Sequence, residues 1–254
     1  MKILYTILFA AAVVSCAESY NIQGSSSVAR LDGSKLYLKV LKDNVLKSID
    51  SCEVVHGKFR FAGLLDTTQM ASLYMDDQSI MPLVIETGDI NIRIDDAQQN
   101  VSGSPLNDLL YLFLDQHNQL DNEMMELSHR ESQMLLDGID EETISDELTR
   151  DAQRISRQLD SLETHFIIDN FDNVLGPGIF LMITSRYQYP VLTPQVEELM
   201  SKATDKFKND PYVSRYYQTA NEIHAQMQGG VADTSAATIE EPTDSVIQRI
   251  LNGE

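Results

Sequence analysis

Few residues in this chain stand at spacings that chemistry demands, and the clearest of them is a cysteine near the N-terminus. Cys16 closes the run Val13-Val14-Ser15-Cys16, behind an apolar stretch over 3–14 and one early positive charge, Lys2. That stretch is too short to cross a bilayer, which takes about 20 residues, but it suits a cleaved bacterial lipoprotein signal with a small residue before the cut. The chemistry expected is removal of 1–15, thioether attachment of a diacylglycerol to Cys16 and acylation of its new amino group. Each buried methylene contributes about 0.8 kcal/mol, so more than one chain holds a protein at a membrane durably. The covalent lipid on Cys16 is the only cofactor expected.

Other reactive types are sparse. The chain has 2 cysteines, so a lipidated Cys16 leaves Cys52 without an intramolecular partner. Cys52 lies in Ser51-Cys52-Glu53-Val54, in phase with Val54, and reads as a small buried hydrophobe rather than a reactive thiol. Glu126 and His129 have the Glu-x-x-His spacing of di-iron bundles, but His165 and His224 are preceded at that spacing by Leu162 and Asn221, so no second half-site exists and no metal is expected. No His-Glu-x-x-His, phosphate-binding glycine loop, dinucleotide fingerprint or Gly-x-Ser-x-Gly elbow occurs, and the expectation is a protein without catalytic residues. Tyr187, Tyr189, Tyr212 and Tyr216 cluster in the C-terminal part and could line a sugar or peptide groove, although packing explains them more simply. Asp66-Thr67-Thr68 and Asp244-Ser245-Val246 resemble acceptor triplets for O-glycosylation, with Thr67 and Ser245 as the acceptors. A formal net charge of −20 excludes nucleic acid as a partner, because phosphate binding requires a basic face.

The elements that position these residues change character once. Over 20–103 the period is two: Leu36, Leu38 and Val40 alternate with Tyr37 and Lys39, Phe59 and Phe61 flank Arg60, and Ile90, Ile92 and Ile94 repeat the pattern. Such alternation predicts antiparallel strands with one face in a core, and about seven or eight strands make a small sandwich. Asp32-Gly33 and His56-Gly57 supply turns, the second at hairpin length. After Gly103 the period becomes helical, with Leu106, Leu110, Phe113, His117, Leu120, Met124 and Leu127 in one stripe. Ser104-Pro105 predicts the cap and first position of that helix. Asp137-Gly138 ends it, Asp140 caps a second with the stripe Ile144, Leu148, Ile155, Leu159, Leu162 and Phe166, and the two form a long αα-hairpin. Three shorter helices are predicted over 174–187, 194–207 and 211–228. The fold class is therefore α+β, an N-terminal antiparallel β-sandwich followed by an all-helical segment. The divisions are a signal peptide over 1–15, a sandwich domain over 16–103, a helical domain over 104–228 and a disordered acidic tail over 229–254.

The strand region resembles a known family, the domain of unknown function 4369, found at the start of thioredoxin-like bacterial lipoproteins. The resemblance rests on Ile22-Gln23-Gly24, Asp32-Gly33 with Leu36-Tyr37-Leu38, Ile49-Asp50-Ser51, Val54 to Gly63, Ile85-Glu86-Thr87-Gly88-Asp89-Ile90 and Val101 to Asn107. It implies the family's sandwich and an envelope location. In such relatives a thioredoxin-like domain with a Cys-x-x-Cys pair follows. Here no Cys-x-x-Cys occurs and 26 residues remain after Gln228, so the family's scaffold is expected without its reacting thiols. The expectation is a membrane-anchored, non-catalytic lipoprotein of the outer membrane, on the periplasmic side in preference to the cell surface. It would act as a protein-interaction or ligand-binding module with a protein partner. The alternative is an accessory to a separate thioredoxin-like thiol-disulfide oxidoreductase, with Cys52 as the point of mixed-disulfide contact.

Overall fold

A computed structural model describes residues 18–42, 45–96 and 98–229. The expected signal peptide, Cys16, Ser245 and the tail beyond 229 lie outside the described residues.

Eight strands form two four-stranded sheets. They are β1 (Ser19–Ser26), β2 (Lys35–Lys42), β3 (Val45–Glu53), β4 (Lys58–Leu64), β5 (Gln69–Met75), β6 (Gln78–Ile85), β7 (Gly88–Ile94) and β8 (Gln99–Ser102). One sheet runs β4-β1-β7-β8 and the other β3-β2-β5-β6. The period-two residues meet between them: Leu36, Leu38 and Val40 of β2, Phe59 and Phe61 of β4, and Ile90, Ile92 and Ile94 of β7 are all buried. Each such side chain contributes about 1.5–3 kcal/mol of burial. The expected sandwich is present, with one pairing that alternation alone does not specify. β1 runs parallel to β7, from Tyr20 opposite Gly88 to Ser26 opposite Ile94, so this sheet is mixed. Parallel neighbours need a long crossover, and here the chain supplies it by building the other sheet in between.

The turn at His56-Gly57 is not a hairpin within one sheet. His56 and Gly57 both have positive φ, and Val55 and Lys58 exchange backbone hydrogen bonds across them. The pairing stops there, because β3 stays with β2 while β4 crosses to pair with β1. Two contacts fix this corner: the Gly57 amide donates to the Asp32 carboxylate at 3.0 Å, and the Ser26 amide donates to the Gly57 carbonyl at 2.8 Å. The two predicted turns are thereby locked to each other. Gly24 matters for a different reason, since a Cβ there would lie 2.0 Å from the Phe59 ring.

The strand directions give the sandwich two distinct ends. β6 turns through Glu86-Thr87 into β7, β7 is parallel to β1, and β4 is antiparallel to β1 with Leu64 opposite Ser19. β5 is antiparallel to β6, and β2 to β5. So β1 begins at the same end at which β2, β4 and β6 finish, and this is called the proximal end below.

The helices are α1 (Pro105–Leu136), α2 (Glu141–Asp169), α3 (Leu175–Thr184), α4 (Pro194–Lys202), α5 (Asp205–Lys208) and α6 (Pro211–Gly229). α1 starts at the proximal end and packs along β8 and β6, the strands at one side of the two sheets. It runs opposite to β6, with Asn107 beside Val84 and the Tyr111 hydroxyl donating to the Pro82 carbonyl at 2.9 Å. This covers edges that would otherwise be open to pairing, and explains why Leu83, Val84, Ile85 and Glu86 are buried in succession.

The predicted αα-hairpin is α1 and α2, and the Asp140 side chain caps α2 by accepting from the Thr143 amide. Its base joins the main core through Leu110, Tyr111 and Phe113 of α1 and Leu162, Phe166 and Ile167 of α2. Beyond His117 the pair is two helices thick: Ile144 and Ile155 are buried in its seam but belong to no larger cluster. The predicted 194–207 helix is two helices, because Ala203 is extended and Thr204 recaps the chain by accepting from the Phe207 amide. Thr193 caps α4 as its position before Pro194 suggested.

Candidate functional site

The first polar cluster joins the two halves. Ser104 is in cap position for α1 but its side chain bonds none of the helix amides. Glu86, at the end of β6, reaches across instead: its Oε1 accepts from the Leu106 amide at 2.9 Å and the Asn107 amide at 3.2 Å. A carboxylate suits this place because helix amides and the helix dipole both favour negative charge at the N-terminus. Asn107, fully buried, accepts from the Val84 amide at 2.8 Å and donates to the Val84 carbonyl at 2.7 Å and to Ser104 Oγ at 2.9 Å. Glu86, Ser104 and Asn107, drawn from two motifs of the family resemblance, thus converge in one joint.

The second cluster lies at the base of the helical hairpin. Glu163 of α2 has a fully buried side chain facing His117 of α1. Its Oε1 accepts from Arg186 Nη2 at 2.6 Å and lies 3.1 Å from His117 Nε2, and its Oε2 accepts from Gln195 Nε2 at 3.0 Å. His117 Nδ1 lies 3.0 Å from Asp121. Burial pushes the Glu163 pKa up, but hydrogen bonds from His117 and Gln195 and the charge of Arg186 outweigh it and hold the carboxyl below its usual range. His117 is raised, chiefly by its hydrogen bond to Glu163, with burial opposing and Asp121 assisting. A carboxylate orienting a histidine is half of a general-base unit. Here both imidazole nitrogens are engaged, one by each carboxylate, which leaves none directed at a substrate. The arrangement instead ties α1, α2, the segment after α3 and the start of α4 together. Sequence reasoning placed His117 in the apolar stripe without seeking its partner; a histidine among Leu and Phe was the available signal.

A recess of about 620 Å³ lies between the sandwich and the helices, bounded by Leu41, Met70, Leu106, Pro177, Leu181 and Tyr212 with Asp172 and Lys206 at its rim. Of the four tyrosines, Tyr212 alone borders it. Tyr212 and Tyr216 pack edge-on against Phe180, with the Tyr212 hydroxyl 3.0 Å from Thr184 and the Tyr216 hydroxyl bonded to the Val191 backbone. Tyr187 is exposed and Tyr189 half-buried, both between α3 and α4. Thr67 is exposed between β4 and β5. Cys52 is half-buried against the core, and burial pushes its thiol up to about 11. Glu126 and His129 are exposed, and among the described residues no group of three or more metal-ligating side chains is gathered.

These features define a two-part protein, a mixed β-sandwich bonded through a buried polar joint to a helical body. Residues 20–110 are a DUF4369 domain, a domain of unknown function. The match continues past Gly103 to Leu110, taking in the turns of α1 that carry Asn107 and seal the side of the sandwich. No curated protein and no solved structure matches the chain. Among the described residues no helix is long and apolar enough to cross a membrane.

Proposed function

We propose that this protein is a non-catalytic lipoprotein of the bacterial cell envelope, held by lipid on Cys16 at the periplasmic side of the outer membrane, whose helical hairpin presents a surface to a protein partner. The observation that carries this reading is the polarity of the fold. β1 begins at Ser19, so only Ala17 and Glu18 separate it from Cys16, a reach of roughly 10 Å. The lipid would therefore hold the proximal end against the headgroups. α1 leaves from that same end and runs away from it for 32 residues, about 48 Å. Its far half is shared only with α2 and exposes Met125, Leu135 and Leu136, the last at 88%.

Two measurements test the reading. Labelled fatty acid is expected on the wild-type protein and not on Cys16→Ser. A photoreactive residue at Leu136 is expected to crosslink a discrete partner in cells, while one at Leu112 on the base of α1 is not; absence of lipid, or equal crosslinking from both, overturns it. The alternative of mixed-disulfide exchange would need Cys52 as a thiolate, and its raised pKa weighs against that.

A further inference from the structure

We propose that the proximal end of the sandwich is itself a membrane-docking surface, in which Val45, Leu46 and Ile49 of β3 and Leu64 of β4 enter the lipid headgroup region beside the acyl anchor. The inference rests on the anchored reading above and adds a second, non-covalent contact with the bilayer.

Three observations converge on this end. The first is exposure: Val45 is 56% exposed, Leu46 50%, Ile49 42% and Leu64 75%. Scattered apolar side chains on a surface are ordinary, but these four belong to one end of one sandwich. Val45 starts β3, while Leu64 finishes β4 opposite Ser19.

The second is reach. The Tyr20 hydroxyl lies 3.3 Å from the Asp50 carboxylate, which sets Asp50 of β3 near the level of the second residue of β1. Five residues of β3, Val45 to Ile49, precede Asp50 and therefore extend past the start of β1. At about 3.3 Å per residue, less the length of the tyrosine, the overhang is on the order of 10 Å. This explains why consecutive residues of β3 are exposed on both faces.

The third is where the chain enters. Cys16 stands three residues before Ser19 and has roughly the same 10 Å of reach. A lipid on Cys16 would therefore lie within reach of the overhanging apolar residues, and the occupant that fits both is a lipid surface. The chain carries a net charge of −20 while exposed Lys42 and Lys47 flank this surface, so the contact is assigned to the apolar side chains and is tested on a zwitterionic bilayer.

The test uses the full-length protein purified with its lipid, carrying Cys52→Ser and one new cysteine for an environment-sensitive fluorophore: Leu46→Cys, Leu64→Cys or Leu136→Cys. Each is bound to phosphatidylcholine vesicles with and without doxyl-labelled lipid, and mass spectrometry records the acyl groups on Cys16. Labels at 46 and 64 are expected to lose about half or more of their emission to the doxyl lipid while the label at 136 is unaffected, as for side chains seated in the interfacial layer. If Cys16 is acylated but 46 and 64 respond no more than 136, this inference fails and the anchor stands. Quenching of all three sites also overturns it, because the molecule would then lie flat. If Cys16 carries no lipid, the anchored reading fails and takes this inference with it.

Discussion

Replacing Glu163 by glutamine tests whether the buried centre at the base of the hairpin stabilises through its charge. Glu163→Gln keeps the size of the side chain but removes the carboxylate that accepts from Arg186, His117 and Gln195. The new amide has one oxygen where two accepted before, and its NH2 group must face another donor. A hydrogen bond to a charged group contributes about 1.5–3 kcal/mol. Arg186 is 48% exposed and recovers solvation when released, which reduces its share. The expected cost is about 2–4 kcal/mol, or roughly 5–15 °C in Tm for a protein of this size. The pH profile separates charge from packing. The raised His117 contributes stability that is full below its ordinary value of 6.5 and is lost as pH rises through its folded pKa. The lowered Glu163 contributes stability that is full above 4.5 and is lost as pH falls through its folded pKa. Wild-type stability from urea unfolding is therefore expected to peak between those values, and the variant to be flatter. A variant within about 0.5 kcal/mol of wild type, with the same pH profile, would refute the reasoning.

Three further outcomes follow from the geometry. Asn107→Ala leaves the Val84 amide and carbonyl buried without their partner and is expected to cost about 2–4 kcal/mol, read by urea unfolding; a neutral result would mean that water replaces the side chain. Gly24→Ala drives a methyl group into the Phe59 ring and is expected to cost about 1–3 kcal/mol or more, with Phe59→Leu in the same chain recovering part of the loss in thermal melts. Cys52, with its thiol pushed up to about 11, is expected to react negligibly with a maleimide at pH 7 in the folded protein and faster as pH rises; rapid labelling at neutral pH would contradict the burial described.

The change from strand to helix at Gly103 was legible because period two and period 3.6 leave different apolar stripes, and Leu36, Leu38, Val40, Leu110 and Phe113 carried those stripes unaided. Caps were legible where they act locally, as Asp140 and Thr193 do. What escaped depends on residues distant in the chain. His56-Gly57 announces a tight turn, but which sheet the next strand joins is decided by Asp32 and by the pairing of β4 with β1. Ser104 looks like a cap, yet Glu86 arrives from 20 residues upstream and takes the amides. Ala203 is an ordinary helix residue, and the break there follows from Thr204 recapping the chain. The Glu163 centre was half visible, since His117 was recognised as a stripe position, but Arg186 and Gln195 come from segments whose approach no periodicity encodes.

The Glu86 joint also determines how the molecule can move. An ordinary linker after Gly103 would have let the helices swivel on the sandwich. Because the first amides of α1 are gripped by a strand-end carboxylate and Asn107 is stitched to Val84, the helix pair has no pivot at its root. It is a strut rather than a tethered lure. Whatever meets Leu136 feels the tilt of the entire body, and a pull on that far point is delivered as torque to the proximal end of the sandwich instead of being absorbed in between.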